Sequence, residues 1–248
     1  MKDNNHQTRV IDVIDDQGLI WLISENAKIM DGLTEILLRD REHAGELLSM
    51  KLRACKEDPN TVVVGIPHGG VCVAWVIAEN LKLPLEVMPC RKIKHPTDKN
   101  KNIGSVSYSE ACIHDCPFDV PQDYIYHQMA LLRHAINYQQ KIYYGDTEPI
   151  SLQYKTVILV DDILKARDTM IACLREIRKQ NPLKIVVAVP VVNVEAARTI
   201  SEETDDFIFL RMRNELEGLD RYYSSFPGVN DEEVRVLLKR TTEKASCP

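Results

Sequence analysis

The stretch that most constrains the fold runs from residue 156 to 174 and reads TVILVDDILKARDTMIACL. Its first part is a short apolar run rich in β-branched residues, which is typical of a strand buried on both faces of a parallel sheet. Asp161 and Asp162 follow at once, then comes a polar loop, and after Thr169 the apolar spacing becomes helical. Open α/β sheets bind ligands at the carboxyl ends of their strands, and a helix N-terminus offers N–H groups to an anion. We therefore predict an anion site between the aspartates and the helix.

The composition indicates which partners and which cellular compartment to expect. The formal net charge is −6, so the chain lacks the general basic surface that a nucleic-acid backbone needs. No apolar run approaches a membrane span, and the polar start MKDNNHQTRV does not resemble a signal peptide. Seven irregularly spaced cysteines argue against a disulfide framework and for reduced thiols. We expect a cytoplasmic protein with no nucleic-acid partner and no membrane partner.

The rest of the chain alternates strand-like and helical patterns, which predicts an α/β fold with a mostly parallel twisted sheet and helices on both faces. Its length suffices for one sizeable domain of this kind. The predicted core strands are Thr61–Ile66, Leu85–Met88, 157–160, Ile185–Val189 and Phe207–Leu210. The predicted helices lie between Leu37 and Leu52, after Gly70, at Pro121–Tyr144, after Thr169, at Val194–Ser201 and after Asn230. Hairpins are predicted at 10–23 and at 104–113.

Two further segments follow strand ends. Pro67-His68-Gly69-Gly70 comes after the first core strand, and paired glycines permit backbone conformations that expose several N–H groups together. The segment Arg91–Lys101 is basic and has no apolar periodicity, so we predict a mobile surface loop there. An ordinary solvated loop is the alternative.

Together these motifs resemble those of the type I phosphoribosyltransferases. In that family four apolar and two acidic residues precede a loop ending in Thr-Gly-x-Thr, and VILVDDILKARDT matches all but the Thr-Gly positions. VVVGIPHGGVCVA resembles the pyrophosphate loop of a bacterial branch, PLEVMPCRKI the approach to its flexible loop, LRDREHAGELL its opening helix and RYYSSFPGVNDEEVRVLL its closing segment. The resemblance implies the family's Rossmann-like fold with a small hood. It divides the chain into an N-terminal extension (1–36), a phosphoribosyltransferase-like domain (37–240) and a tail (241–248).

The family transfers phosphoribose from 5-phosphoribosyl pyrophosphate (PRPP) to a nitrogenous base and releases pyrophosphate. The resemblance therefore implies a glycosyltransferase, a homodimer, and PRPP or a related sugar phosphate or nucleotide as ligand. It assigns the ribose hydroxyls to Asp161 and Asp162 as catalytic residues, with Mg²⁺ nearby, held directly or through water. It assigns the pyrophosphate to Pro67, His68, Gly69 and Gly70, and the flexible loop to Arg91 and Lys92. The 5′-phosphate would be surrounded by Lys165, Ala166, Arg167, Asp168 and Thr169.

Several residues depart from the family pattern. Ala166 removes a hydroxyl whose bond to a phosphate contributes about 1.5–3 kcal/mol. Arg167 occupies the glycine position, and Asp168 adds a negative charge, although Lys165 and Arg167 can compensate as cations. His68 replaces an arginine and is charged only when protonated.

These departures leave alternatives open. The chain is an active phosphoribosyltransferase, or an impaired one that binds a nucleotide or another anionic metabolite as a regulatory module. A third hypothesis is a protein-interaction module that uses the N-terminal extension and Arg211–Val229. Catalysis on PRPP would be lost if Arg167 filled the phosphate pocket while the aspartates faced solvent or a salt bridge.

Overall fold

The structure, a computed structural model, describes the backbone at 10–14, 20–24, 27–29 and from 37 to 245, with gaps at 114–119, 146, 217 and 219–220. Side chains before residue 37 and after residue 241 lie outside this description. The strands are β1 (Val10–Ile14), β2 (Ile20–Ser24), β3 (Ala27–Ile29), β4 (Thr61–Gly65), β5 (Leu85–Val87), β6 (Arg91–Lys94), β7 (Asn102–Val106), β8 (Ala111–Ile113), β9 (Thr156–Val160), β10 (Lys184–Asn193) and β11 (Asp206–Arg213). The helices are α1 (Arg41–Lys51), α2 (Gly69–Leu81), α3 (Gln122–Tyr144), α4 (Arg167–Arg178), α5 (Val194–Glu203) and α6 (Asp231–Ala245).

The central sheet has six strands in the order β3-β11-β10-β9-β4-β5, and each neighbouring pair is parallel. The chain builds outwards from β4 to β5 on one side and from β9 through β10 to β11 on the other. The order therefore reverses between β4 and β9, where Gly65 lies opposite Val160 and the Ile66 N–H donates to the Val160 carbonyl at 2.9 Å. Ligands bind at such a switch point in open α/β sheets.

Alternate residues of β4, β9, β10 and β11 enter two separate cores. In β9, Val157 and Leu159 pack in the cluster that contains Met170 and Leu174 of α4. Ile158 and Val160 pack on the other face, in the cluster formed with α1, α2 and α6. Burial on both faces explains why these strands read as continuous apolar runs. The predicted mostly parallel sheet with helices on both faces is confirmed.

A small antiparallel sheet, β6-β7-β8, packs with α3 around a third cluster that includes Ile93 and Ile136. Here the sequence prediction was wrong in one respect, because Arg91 and Lys92 lie in strand β6 rather than in a loop. Ile93 is fully buried, while its neighbours Lys92 and Lys94 are exposed. This is the alternation of a strand with one buried face, although only one of these residues is apolar. Only residues 95–101 connect β6 to β7.

The start of α4 also differs from the prediction. Ala166 has extended backbone angles and is the N-cap, and Arg167 is the first helical residue. The helix therefore begins before Thr169, and Asp168 lies in its first turn, where a carboxylate interacts favourably with the positive end of the helix dipole.

The N-terminal hairpin β1-β2 is confirmed, while its predicted turn lies outside the described residues. The backbone of β3 pairs with β11 at the edge of the central sheet, and α6 continues to Ala245. The division into 1–36, 37–240 and 241–248 stays a prediction. Within the described part, no helix has both the length and the apolar character needed to cross a lipid bilayer.

Candidate functional site

Strand β9 ends at Val160 and delivers the two aspartates to the switch point. Asp162 is buried, and its Oδ2 accepts a hydrogen bond from Nε of Arg41 at 2.7 Å. Arg41 is the first residue of α1 and is also buried. A buried ion pair needs further hydrogen bonds to offset the cost of removing both charges from water.

Those further contacts come from the closing segment of the chain. Nη1 of Arg41 donates to the Pro227 carbonyl at 2.6 Å, and its guanidinium lies 3.7 Å from the centre of the Phe226 ring. The hydroxyl of Tyr223 donates to the Asp162 backbone carbonyl at 2.8 Å. The acidic pair is thus fixed by two elements that are distant from it in the sequence.

Asp161 is half-buried, and its Oδ1 accepts the backbone N–H of Asp162 at 2.9 Å. Burial, and then the neighbouring Asp162 carboxylate, raise the pKa of Asp161 well above its ordinary value, while the N–H bond and Lys92 act in the opposite direction. Two adjacent carboxylates do not readily carry two negative charges without a cation or hydrogen-bond donors. The pair is therefore suited to a ligand that brings hydroxyl groups or a metal ion.

The turn from β4 into α2 lies directly against this pair. The Pro67–His68 peptide bond is cis, and α2 begins at Gly69. A Cβ atom at Gly69 would lie 1.8 Å from Oδ2 of Asp162 and 2.6 Å from Nε of Arg41. A Cβ at Gly70 would lie 2.8 Å from the Val160 carbonyl oxygen. Both glycines are therefore required by the close approach of the loop to the end of β9.

His68 contacts a different carboxylate. Its Nε2 lies 3.0 Å from Oδ1 of Asp231, which also accepts bonds from Nε2 of Gln139 at 2.6 Å and the hydroxyl of Tyr143 at 2.5 Å. Burial alone would raise the pKa of Asp231, but the bonds from Tyr143, Gln139 and His68 outweigh burial and lower it. The predicted pyrophosphate loop is thus tied to α3 and α6.

The predicted phosphate loop borders a cavity of about 380 Å³. The cavity is lined by Lys165, Ala166, Arg167 and Asp168 and, on the opposite side, by Asn193, Glu195 and Ala196. Ala166 is the N-cap of α4 and makes no side-chain cap hydrogen bond, and the positive end of the helix dipole lies at this cavity. The positive charges of Lys165 and Arg167 are formally balanced by the negative charges of Asp168 and Glu195 in the lining. Arg167 lines this cavity without filling it.

Thr169 has a side-chain partner in the small sheet. Its Oγ1 lies 3.1 Å from Oγ of Ser105, which is buried in β7. Its carbonyl accepts a bond from the Cys90 thiol at 3.8 Å, just before β6. The structure therefore brings the predicted phosphate loop into contact with the sheet that carries Arg91 and Lys92.

The described residues contain no group of three or more His, Cys, Asp or Glu side chains that could hold a metal ion. Asp161 and Asp162 are the only carboxylates of the predicted metal site. Mg²⁺ commonly binds through one or two carboxylates, several waters and the phosphates of a substrate. The two aspartates fit a magnesium ion that arrives with a pyrophosphate and do not fit a resident all-protein site.

Comparison with known proteins decides the family. The model of the phosphoribosyl transferase domain family matches residues 35–221, which is most of the chain. The chain belongs to the phosphoribosyl transferase domain family.

The chain is also similar to individual proteins. "Putative phosphoribosyl transferase Rv0571c" of Mycobacterium tuberculosis is 26% identical over 212 residues, covering 82% of this chain and 47% of that protein. The chain thus spans about half the length of the curated relatives it matches. The crystal structure of TT1426 from Thermus thermophilus has a TM-score of 0.68 and 29% identity, and covers 83% of this chain and 99% of that one. A purine phosphoribosyltransferase from Pyrococcus horikoshii has 16% identity and a TM-score of 0.44, with 83% and 96% covered.

Sequence reasoning missed three residues that take part in this candidate site: Arg41, Tyr223 and Asp231. Arg41 lies in the opening segment that resembles the family, but nothing local links it to Asp162, which is 121 positions away. Tyr223 and Asp231 lie in the closing segment that also resembles the family. The available sequence signal was the family resemblance of the opening and closing segments. It indicated that both segments belong to the domain, but not which residues they contact.

Proposed function

We propose that this chain is a cytoplasmic, homodimeric phosphoribosyltransferase that transfers phosphoribose from PRPP to a nitrogenous base with release of pyrophosphate. The observation that carries this proposal is the cavity at the N-terminus of α4, which lies at the same sheet edge as the acidic pair and the glycine turn. PRPP has a phosphate at one end, a ribose in the middle and a pyrophosphate at the other end. These three groups correspond in order to the cavity at α4, the acidic pair and the glycine turn.

The acidic pair suits the ribose. In this proposal Asp161 and Asp162 accept hydrogen bonds from the ribose hydroxyls and favour the positive charge that develops on the sugar as the leaving group departs. The buried setting of Asp162 strengthens these interactions, because the local dielectric is low. The raised pKa of Asp161 indicates that the unliganded pair is short of positive charge.

The glycine turn suits the pyrophosphate. The absence of side chains at Gly69 and Gly70 lets this turn lie directly against Asp161 and Asp162, so its backbone groups are close to the acidic pair. A magnesium ion bound to the pyrophosphate and to Asp161 or Asp162 would neutralise the charge on the leaving group. Arg91 and Lys92, on β6, are the proposed cationic neighbours of this site, and Lys92 is among the charges that act on Asp161.

The 5′-phosphate is proposed to bind at residues 165–169. Its interactions are with the first N–H groups of α4 and with Lys165 and Arg167, while the Thr169 hydroxyl is shared with Ser105. Tight binding of this remote group orients the reacting carbon of the ribose.

Two observations favour a second function. Oδ2 of Asp162 is already bonded to Arg41, and Ala166 lacks the family's hydroxyl, so the chain can bind a nucleotide or another anionic metabolite without turnover. In that case the same cavity serves a regulatory binding module rather than an enzyme.

Calorimetry with PRPP and Mg²⁺ tests the first proposal. We expect binding with a dissociation constant in the micromolar range, typical of enzyme–substrate pairs. No heat at millimolar PRPP would overturn binding of this ligand and with it the transferase.

Restoring the family loop separates the two functions. The double substitution Ala166→Thr with Arg167→Gly returns the hydroxyl and the bare backbone. If the chain is an impaired descendant, pyrophosphate release in the presence of PRPP and a panel of nitrogenous bases will rise in the double variant. If the unaltered chain already turns over PRPP and restoration adds nothing, the second function is wrong.

A further inference from the structure

Arg41 makes a set of contacts that the proposed function does not yet use. Its guanidinium donates to Oδ2 of Asp162 at 2.7 Å and to the Pro227 carbonyl at 2.6 Å, and lies against the Phe226 ring. The guanidinium is planar and its donors have fixed directions, so bonds to two separate acceptors fix the orientation of the guanidinium itself. The Asp162 carboxylate is therefore held at one oxygen by a rigid donor.

The Arg41–Asp162 ion pair lies in close contact with Gly69. A side chain there would overlap both Oδ2 of Asp162 and Nε of Arg41, so the ion pair lies immediately beneath the first turn of α2. On the opposite side, Tyr223 fixes the backbone of Asp162 through its carbonyl. The orientation of one carboxylate thus depends on α1, on the turn into α2 and on the closing segment.

We propose that Arg41 is a positioning residue for ribose binding. By holding Oδ2 of Asp162, it orients the carboxylate so that the other oxygen is presented to the ribose hydroxyls. This inference deepens the proposed function and rests on it, since it assumes that Asp162 binds a sugar.

A purely structural ion pair makes a different prediction. Breaking a buried pair lowers stability whatever the ligand, because it leaves an uncompensated charge. A positioning residue also changes the affinity for a ligand that has ribose hydroxyls relative to a ligand that lacks them. The ratio of two affinities measured on the same variant separates the roles, since a general loss of stability affects both ligands.

The experiment compares ribose 5-phosphate with methyl phosphate, a phosphate ester without hydroxyl groups, by calorimetry on the full chain. In the unaltered protein we expect ribose 5-phosphate to bind more tightly. In Arg41→Met we expect this advantage to fall about tenfold or more, as for the loss of one oriented hydrogen bond to a charged group. Arg39→Met is the matched control, because Arg39 is two residues away and its exposed side chain pairs with Glu46 at 3.2 Å.

Arg41→Lys keeps the charge but loses the fork, so it should recover part of the advantage. It also decides the question if Arg41→Met does not fold, since an unchanged ratio in Arg41→Lys overturns the positioning role. An unchanged ratio in a folded Arg41→Met, with a lowered melting temperature, would likewise leave Arg41 purely structural. If the unaltered protein binds neither ligand, the proposed function fails. If it binds both equally, Asp162 does not bind the ribose and the role of Arg41 is overturned alone.

Discussion

His68 and Asp231 are joined across the site, with Nε2 of the imidazole 3.0 Å from Oδ1 of the carboxylate. The same oxygen accepts bonds from Gln139 and Tyr143 of α3. Oδ1 of Asp231, the first residue of α6, thus accepts bonds both from the turn after β4 and from α3. The position of the predicted pyrophosphate loop therefore depends on a helix that begins more than 160 positions later.

Asp231→Asn tests this connection. At pH 7 we expect the free energy of unfolding to fall by about 1 kcal/mol, a small value because the side chain is 37% exposed and solvent screens its interactions. The pKa of Asp231 is lowered from 3.8 in the folded protein, so its stabilisation is present above pH 3.8 and is lost as the pH falls through the folded value. Urea denaturation at pH 7 and at pH 3 measures both effects.

The matched control is Glu232→Gln, one position along α6, where the carboxylate bonds only Arg235 on the same helix among the described residues. We expect Glu232→Gln to change the free energy of unfolding little at pH 7 or at pH 3. A loss in Asp231→Asn that stays the same size at pH 3 would contradict the assignment of the stabilisation to the ionised carboxylate.

Gly69→Ala tests the close approach beneath α2. Because the new methyl would lie 1.8 Å from Oδ2 of Asp162, either the ion pair or the turn must move. We expect a loss of unfolding free energy of about 1–3 kcal/mol or more, together with weaker ribose 5-phosphate binding. Gly228→Ala is the control, since a Cβ there meets nothing within 4 Å, and its stability should be unchanged or slightly higher. Equal behaviour of the two variants would show that the turn tolerates a side chain.

Glu195→Gln tests the charge balance of the cavity at α4. Glu195 faces the phosphate loop, and removing its negative charge should tighten PRPP or phosphate binding about two- to fivefold at low salt. Glu202→Gln, near the other end of α5, should leave the affinity unchanged. Titrations at two salt concentrations provide the measurement, and the gain should shrink at the higher one. Identical effects of the two substitutions would place the anion elsewhere.

Glu86→Gln tests a second pH dependence, of opposite sign. Burial raises the pKa of Glu86 above its ordinary 4.5, although bonds from Tyr144 and the Ile150 N–H act to lower it. A raised folded pKa means that the folded state holds a proton that the unfolded state loses, so stability falls as the pH rises above 4.5. Glu86→Gln has no such ionisation, so its stability does not fall in this way as the pH rises. Between pH 4.5 and neutrality its melting temperature should therefore increase relative to that of the unaltered protein. A constant difference across that range would refute the assignment.

Local patterns predicted most of the central sheet, for a physical reason. Strands buried on both faces must be apolar throughout, so β4 and β9 were visible as uninterrupted runs. The capping box at the start of α6 was equally visible, because Asn230 and Glu233 bond each other's backbone N–H within one turn. Both signals lie within a few residues of the element they specify.

The missed features depend on partners that are distant in the sequence. Strand β6 exists because Ile93 enters a core completed by α3, and a single apolar residue among basic ones gives no periodic signal. The start of α4 at Arg167 was hidden because Ala166 is an unusual N-cap. Arg41 reads as one more charge on an amphipathic helix, and only the folded chain brings it to Asp162.

The bracing of Arg41 has a consequence for how the protein is made. Pro227 and Phe226 leave the ribosome some 186 residues after Arg41, when every strand of the central sheet has already been synthesised. A nascent chain can therefore assemble its sheet while the guanidinium still lacks both the carbonyl and the ring that hold it. Removal of residues 226 and 227 would leave the buried Arg41–Asp162 ion pair without the carbonyl and the ring that now offset its removal from water.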